Sequence, residues 1–125
     1  VTRIFAAKAF DRFAGHEGIR DGDLLAAVTR AEAGLIDADL GGGVIKQRIA
    51  RKGQGRSGGF RTIVLFRRQA MAVFVYGFAK SDRSNIGPDE LKAFRRLAAA
   101  TLSLDDAALV AAKKNGTLRE IETHG

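Results

Sequence analysis

The sequence predicts an α+β fold: a small antiparallel sheet, built as a meander of central strands, with an N-terminal helical hairpin and C-terminal helices packed on it. Three observations predict it. Strand-like apolar runs cluster in the middle of the chain, apolar stripes at helical spacing lie on either side, and glycine or proline separates the pieces. The charge is segregated as well: from Gly41 to Ser81 there are nine Lys and Arg and not one Asp or Glu, so the other 84 residues sum to −2 while the chain carries +7. A surface of one sign concentrates ligands of the other, and polyanions are therefore the first partners to consider.

Taken in order, Val1 to Phe5 alternates over too few residues to be more than a possible added strand. Between about Ala6 and Glu17, Ala6, Phe10, Phe13 and Ala14 form a helical stripe, closed by Gly18. Asp21 suits the N-cap of a second helix whose buried face is Leu24, Leu25, Val28 and Ala31, and Gly34-Leu35 has the Schellman pattern. Asp37 to Gly43 is expected to be a loop in which three glycines permit unusual backbone conformations.

Ile45 to Lys52 alternates with period two, placing Ile45 and Ile49 on one side and Lys46, Arg48 and Lys52 on the other. Phe60 to Phe66 and Met71 to Ala79 are β-branched and aromatic runs, apolar on nearly both sides, as central strands require. The joining segments, Gly53 to Gly59 and Arg67 to Ala70, are short enough for hairpins. Pro88 starts a third helix with Leu91, Phe94, Leu97 and Ala98 as its apolar stripe. Ser103 and Asp106 resemble a capping box for a fourth helix through Leu109, Val110 and Ala112, and Thr117 to Ile121 reads as a last short strand or a tail.

At 125 residues the chain is expected to be one domain able to bury roughly two-thirds of its unfolded surface without a staple. With no cysteine there is neither a disulfide nor a thiolate, and zinc-finger readings are excluded. The longest apolar run, Ala70 to Ala79, is far short of a membrane span, and a cytoplasmic protein is expected.

Gly53, Gly55 and Gly58 match a bare dinucleotide fingerprint, yet a strand rather than a helix follows, so the pyrophosphate site is missing. A basic loop whose amides and Arg56 donate to phosphate oxygens fits the segment better. His16 and His124 have no second ligand at metal spacing, and neither a metal nor a cofactor is expected. No carboxylate pair suggests acid–base hydrolysis, which leaves Lys, Arg and Tyr76 or another hydroxyl for any chemistry. RNA cleavage suits that restriction because the substrate's own 2′-OH is the nucleophile. The protein then has to position the backbone, stabilise charge on the phosphorane and move protons.

The stretches Asp37 to Lys46, Arg48 to Thr62 and Phe74 to Ile86, above all Lys-Gly-Gln-Gly-Arg-Ser-Gly-Gly-Phe-Arg and Phe-Ala-Lys-Ser-Asp-Arg-Ser-Asn-Ile, resemble a branch of the RelE/HigB-like toxins of bacterial toxin–antitoxin modules. The resemblance covers nearly the whole chain. It implies a compact α+β fold, an mRNA endonuclease working on or with the ribosome, and an antitoxin encoded beside it. By the same comparison Lys46, Arg48, Arg51 and Lys52 are basic contacts to RNA, Arg61 stabilises the transition state, and Lys80 and Arg83 belong to the cluster after the last long strand; Arg61, Lys80 and Arg83 are the catalytic candidates. Two positions depart from the pattern: Ser81 and Gly87 stand where RelE itself has a catalytic Arg and a Tyr that stacks on the substrate base. The related ParE-like toxins, which poison DNA gyrase, and a basic nucleic-acid-binding protein without catalysis are the competing readings.

Overall fold

The computed structural model describes residues 2–50 and 59–123. Six strands, β1 (Arg3–Ala7), β2 (Ala38–Gly41), β3 (Val44–Ile49), β4 (Phe60–Arg67), β5 (Met71–Ala79) and β6 (Leu118–Ile121), form one sheet in the order β2-β3-β4-β5-β1-β6. Every neighbouring pair is antiparallel except β1 with β5, which is parallel. The helices are α1 (Lys8–Glu17), α2 (Asp21–Glu32), α3 (Pro88–Thr101) and α4 (Asp106–Lys114). The first two cover one face of the sheet and the last two the other. No described helix is long and apolar enough to cross a membrane.

The α+β class and the central meander stand as the sequence predicts, and the helix boundaries shift for identifiable reasons. α1 starts at Lys8 rather than Ala6 because Ala6 is fully buried in β1, opposite Phe74 and Arg119. α2 ends in the Schellman pattern, with Leu35 N–H donating to the Arg30 carbonyl at 2.8 Å and Gly34 N–H to that of Ala31 at 3.0 Å. Its start is not capped by Asp21: Asp21 is the first helical residue, and the Asp23 carboxylate accepts from Arg20 N–H at 2.9 Å. Ser103 likewise does not cap α4. Its hydroxyl donates back to the Ala99 carbonyl, and Asp105 takes the cap by accepting from Ala108 N–H at 2.8 Å. Leu97 and Val110 lie outside the core, 43% and 61% exposed.

The segment expected to be a loop before β3 is itself a strand edge. β2 pairs with β3, and Gly41, Gly42 and Gly43 turn the corner with φ of 81°, 63° and 83°, a conformation that disfavours any side chain. Packing on the α1/α2 face brings Phe10, Leu24 and Val28 against Ile45, Ile49, Val64 and Phe74. Each fully buried Phe contributes about 1.5–3 kcal/mol. One polar side chain sits inside this layer. The Gln47 amide donates to the carbonyls of Ala27 and Leu35 and accepts from Asp37 N–H at 2.8 Å, so α2, its exit and β3 share one satisfied group. On the other face Val44, Ile63, Leu65 and Val73 pack with Ala98, Leu102 and Leu109.

β5 breaks the two-residue period once. Ile63 pairs with Tyr76 and Val64 with Phe74, leaving Val75 as an extra residue. Past this bulge Tyr76 and Phe78 turn to the α3 face, and Gly77 turns to α1. There a Cβ on Gly77 would lie 2.4 Å from the Phe13 ring, which only glycine avoids.

β6 is tied down on both faces by alternate side chains. Arg119 bridges Asp11 of α1 and Asp21 of α2, each at 2.8 Å, while Glu120 accepts from Arg3 at 2.8 Å and from Lys113 of α4 at 2.8 Å. The hydrogen bond from Arg3 holds the Glu120 carboxyl down to about 2, from an ordinary 4.5. A depressed folded pKa adds stability above the unfolded value and loses it as pH falls through the folded one. Acid denaturation of the parent is therefore expected to steepen between pH 4.5 and about 2, and Glu120→Gln is expected to flatten that part of a stability–pH curve measured by urea unfolding.

Candidate functional site

The candidate site is the α3-side face of β3, β4 and the bulged end of β5, with the segment 80–87 along its rim. Pairing fixes who meets whom. Lys46, Ile63 and Tyr76 form one cross-strand row, and Arg48, Arg61 and Phe78 the next. Lys46 and Arg48 share a face because they are two positions apart on the strand, as the sequence predicts. Arg61 joins them from β4. Arg48 and Arg61 stand directly opposite each other, an arrangement of like charges that is unfavourable in a sheet unless an anion lies across them.

The three cations differ in what holds them. Lys46 Nζ reaches the Asn85 side-chain oxygen at 3.4 Å, close to the limit of a hydrogen bond. Arg61 is half-buried and makes a long 3.5 Å contact to the Phe60 carbonyl, with no carboxylate against it among the described residues. Arg48 contributes its backbone as well: its N–H donates to the Asp37 carboxylate at 2.5 Å and its carbonyl accepts from Arg30 at 2.5 Å, which fixes the strand where the arginines face.

At the rim, Lys80 is exposed just past β5, and its backbone N–H closes on the Gly59 carbonyl at 3.3 Å. Arg83 differs from a freely available cation. Its guanidinium makes a two-pronged pair with Glu90 at 3.0 and 2.6 Å, donates to the Tyr76 hydroxyl at 3.0 Å and to the Asn85 carbonyl at 2.9 Å. It also lies over the rings of Tyr76 and Phe78, 5.8 and 5.5 Å from their centroids. The hydrogen bond from Arg83, helped by that from Gly87 N–H, holds Glu90 down to about 2, and the same pair raises Arg83 further above its ordinary value.

Structure thus brings Lys46, Arg48, Arg61 and Arg83 to one side of the sheet, with Lys80 exposed in the turn that follows β5. Arg51, Lys52, Arg56 and the Gly53 to Gly58 motif lie outside the described residues. Ser81 is an exposed turn residue, and Gly87 is the N-cap of α3. Sequence reasoning missed Glu90. Its position three residues after Gly87 is a helix-start signal, which Gly87 N–H donating to it at 2.7 Å bears out, but nothing in that pattern names Arg83 as the second partner.

The fold is a mixed sheet backed by helices on both faces, and on its α3 side Arg48 of β3 stands opposite Arg61 of β4. The chain belongs to the RelE toxin family: the family model described as the RelE toxin of the RelE / RelB toxin-antitoxin system matches residues 2–121. It is accordingly a toxin of a toxin–antitoxin system, with a cognate antitoxin as the implied partner. No curated protein matches the chain.

The opposed arginines give a stability prediction separate from any activity. Arg61→Thr keeps a good strand former and removes the repulsion, so it is expected to raise unfolding stability by about 0.2–1 kcal/mol in urea titrations at low salt. The gain should shrink at high salt, where the repulsion is screened.

Proposed function

We propose that this toxin is an mRNA endoribonuclease acting on translating ribosomes. The observation that carries the reading is the Arg48–Arg61 opposition, with Lys46 on the same face and Lys80 at its edge. A phosphodiester lying across the two guanidiniums relieves their repulsion and receives their donors. In the reaction the RNA 2′-oxygen attacks the adjacent phosphorus, its proton leaves to a base, the bond from phosphorus to the 5′-oxygen breaks, and that oxygen takes a proton. The products are a 2′,3′-cyclic phosphate and a 5′-OH end.

Arg61 is assigned to the phosphorane's extra charge, and Lys80 to proton exchange. Lys46 and Arg48 hold the strand, and the same role extends to Arg51, Lys52 and Arg56. Ser81 and Gly87 deny the chain an Arg and a Tyr at the family's usual positions, but an Arg–Tyr pair is present from elsewhere: Arg83 and Tyr76, 3.0 Å apart. Phe78, Phe94 and the Arg83 guanidinium neighbour the Tyr76 ring, and we assign its hydroxyl the role of hydrogen-bond donor.

Primer extension on cellular mRNA after brief induction tests the proposal. New 5′ ends within translated frames are expected for the parent, with a loss of at least about 100-fold for Arg61→Ala, the scale on which a single transition-state donor acts, and a comparable loss for Lys80→Ala. Growth arrest with intact mRNA would sink the nuclease reading and turn attention to gyrase. Intact mRNA with normal growth would leave a basic binding protein, whose nucleic-acid affinity falls steeply with salt.

A further inference from the structure

Arg83 has five N–H donors in a fixed fork, and its partners leave its guanidinium little freedom. Glu90 accepts from both terminal nitrogens, Asn85 from Nε, and the Tyr76 hydroxyl oxygen from Nη1. Glu90 is itself fixed. It stands in the first turn of α3, where the helix dipole favours a carboxylate, and one of its oxygens also accepts from Gly87 N–H at 2.7 Å. A rigid helix terminus therefore determines where the Arg83 plane lies.

That plane determines a proton. A phenol oxygen that accepts from Arg83 must direct its own O–H away from Arg83. Tyr76 lies in the cross-strand row of Lys46, on the cationic face. We propose that Glu90 is a positioning residue that, through Arg83, aims the Tyr76 O–H as a fixed donor toward an anion bound on the sheet face. Because the Arg83–Glu90 pair is neutral overall, it supplies direction rather than extra positive charge. The inference rests on the nuclease reading for its kinetic consequence, but its structural content stands apart.

The chain's only tyrosine makes the structural part readable without any RNA, since every tyrosine signal comes from Tyr76. In NMR spectra of the full chain, the Arg83 Nε–H resonance is expected to be protected in the parent and in Tyr76→Phe, and lost to exchange in Glu90→Gln. The tyrosine Cζ resonance is expected to move in Glu90→Gln to the position it takes in Arg83→Lys, and to return in Glu90→Asp. Gln at position 90 keeps an oxygen for Gly87 N–H, so the helix start is retained. Circular dichroism checks that each variant is folded. A Cζ resonance unmoved by Glu90→Gln overturns the proposal whether or not the chain cuts RNA.

The kinetic arm follows cleavage on translating ribosomes. Glu90→Gln and Tyr76→Phe are each expected to lower kcat by about 10-fold with KM within twofold, and the double variant to be no slower than either single one. Losses that multiply in the double variant overturn the shared route. A parent that does not cleave, with the NMR result as expected, removes the nuclease reading and leaves the positioning of Tyr76 supported.

Discussion

A strand presents alternate residues to opposite faces, and the cationic site depends on one violation of that rule. Were β5 regular, Phe74, Tyr76 and Phe78 would all face α1 and α2, and Gly77 would face α3. The extra residue Val75 re-phases the strand, so Phe74 stays in the layer with Phe10 while Tyr76 and Phe78 cross to the side of Arg61 and Lys46. Gly77 is the counterpart of that shift. It comes to lie where the Phe13 ring leaves no room for a side chain. Bulge, glycine and aromatic pair form one constraint, and the hydroxyl beneath Arg83 exists on the site face because all three hold.

Charge is divided along the same sheet. At the β1–β6 side three cations meet acid: Arg119 has Asp11 and Asp21, and Arg3 and Lys113 have Glu120. At the β3–β4 side the strands bring Arg48 against Arg61 instead. Acidic residues are absent from Gly41 to Ser81, and Glu90 enters from α3 already committed to Arg83 and Gly87. These ion pairs on β6 are thus made within the molecule, while the β3–β4 pairing sets two guanidinium-bearing residues side by side.

Most of the architecture was legible because it rests on local signals. Alternation assigned Lys46 and Arg48 to one face, the Gly34-Leu35 pair ended α2, and Pro88 opened α3. What was not legible depends on contacts distant in sequence. Ala6 has the spacing of α1 yet belongs to β1, since its partners are Phe74 and Arg119. The stretch before β3 reads as a loop because its glycines dominate, although its backbone pairs as a strand edge. The bulge leaves no mark in a run that is apolar on both sides, so the side on which Tyr76 emerges could not be read. Arg83 showed its charge in the sequence, but not the carboxylate that holds it.

The place of β1 has a consequence in time. It lies between β5 and β6, and its nearest sheet partner in sequence, Met71, is 68 residues on. During synthesis Ile4 and Phe5 therefore precede both strands that flank them in the sheet. The β3–β5 meander can zip up from neighbours in sequence as it appears, while β1 must wait for β5, and then for β6, before both its edges are covered. The order of synthesis is not the order of assembly. Of the six described strands the earliest in sequence is among the last to have both edges covered, and the pairs from Arg3 to Glu120 and from Arg119 to Asp11 and Asp21 close behind it.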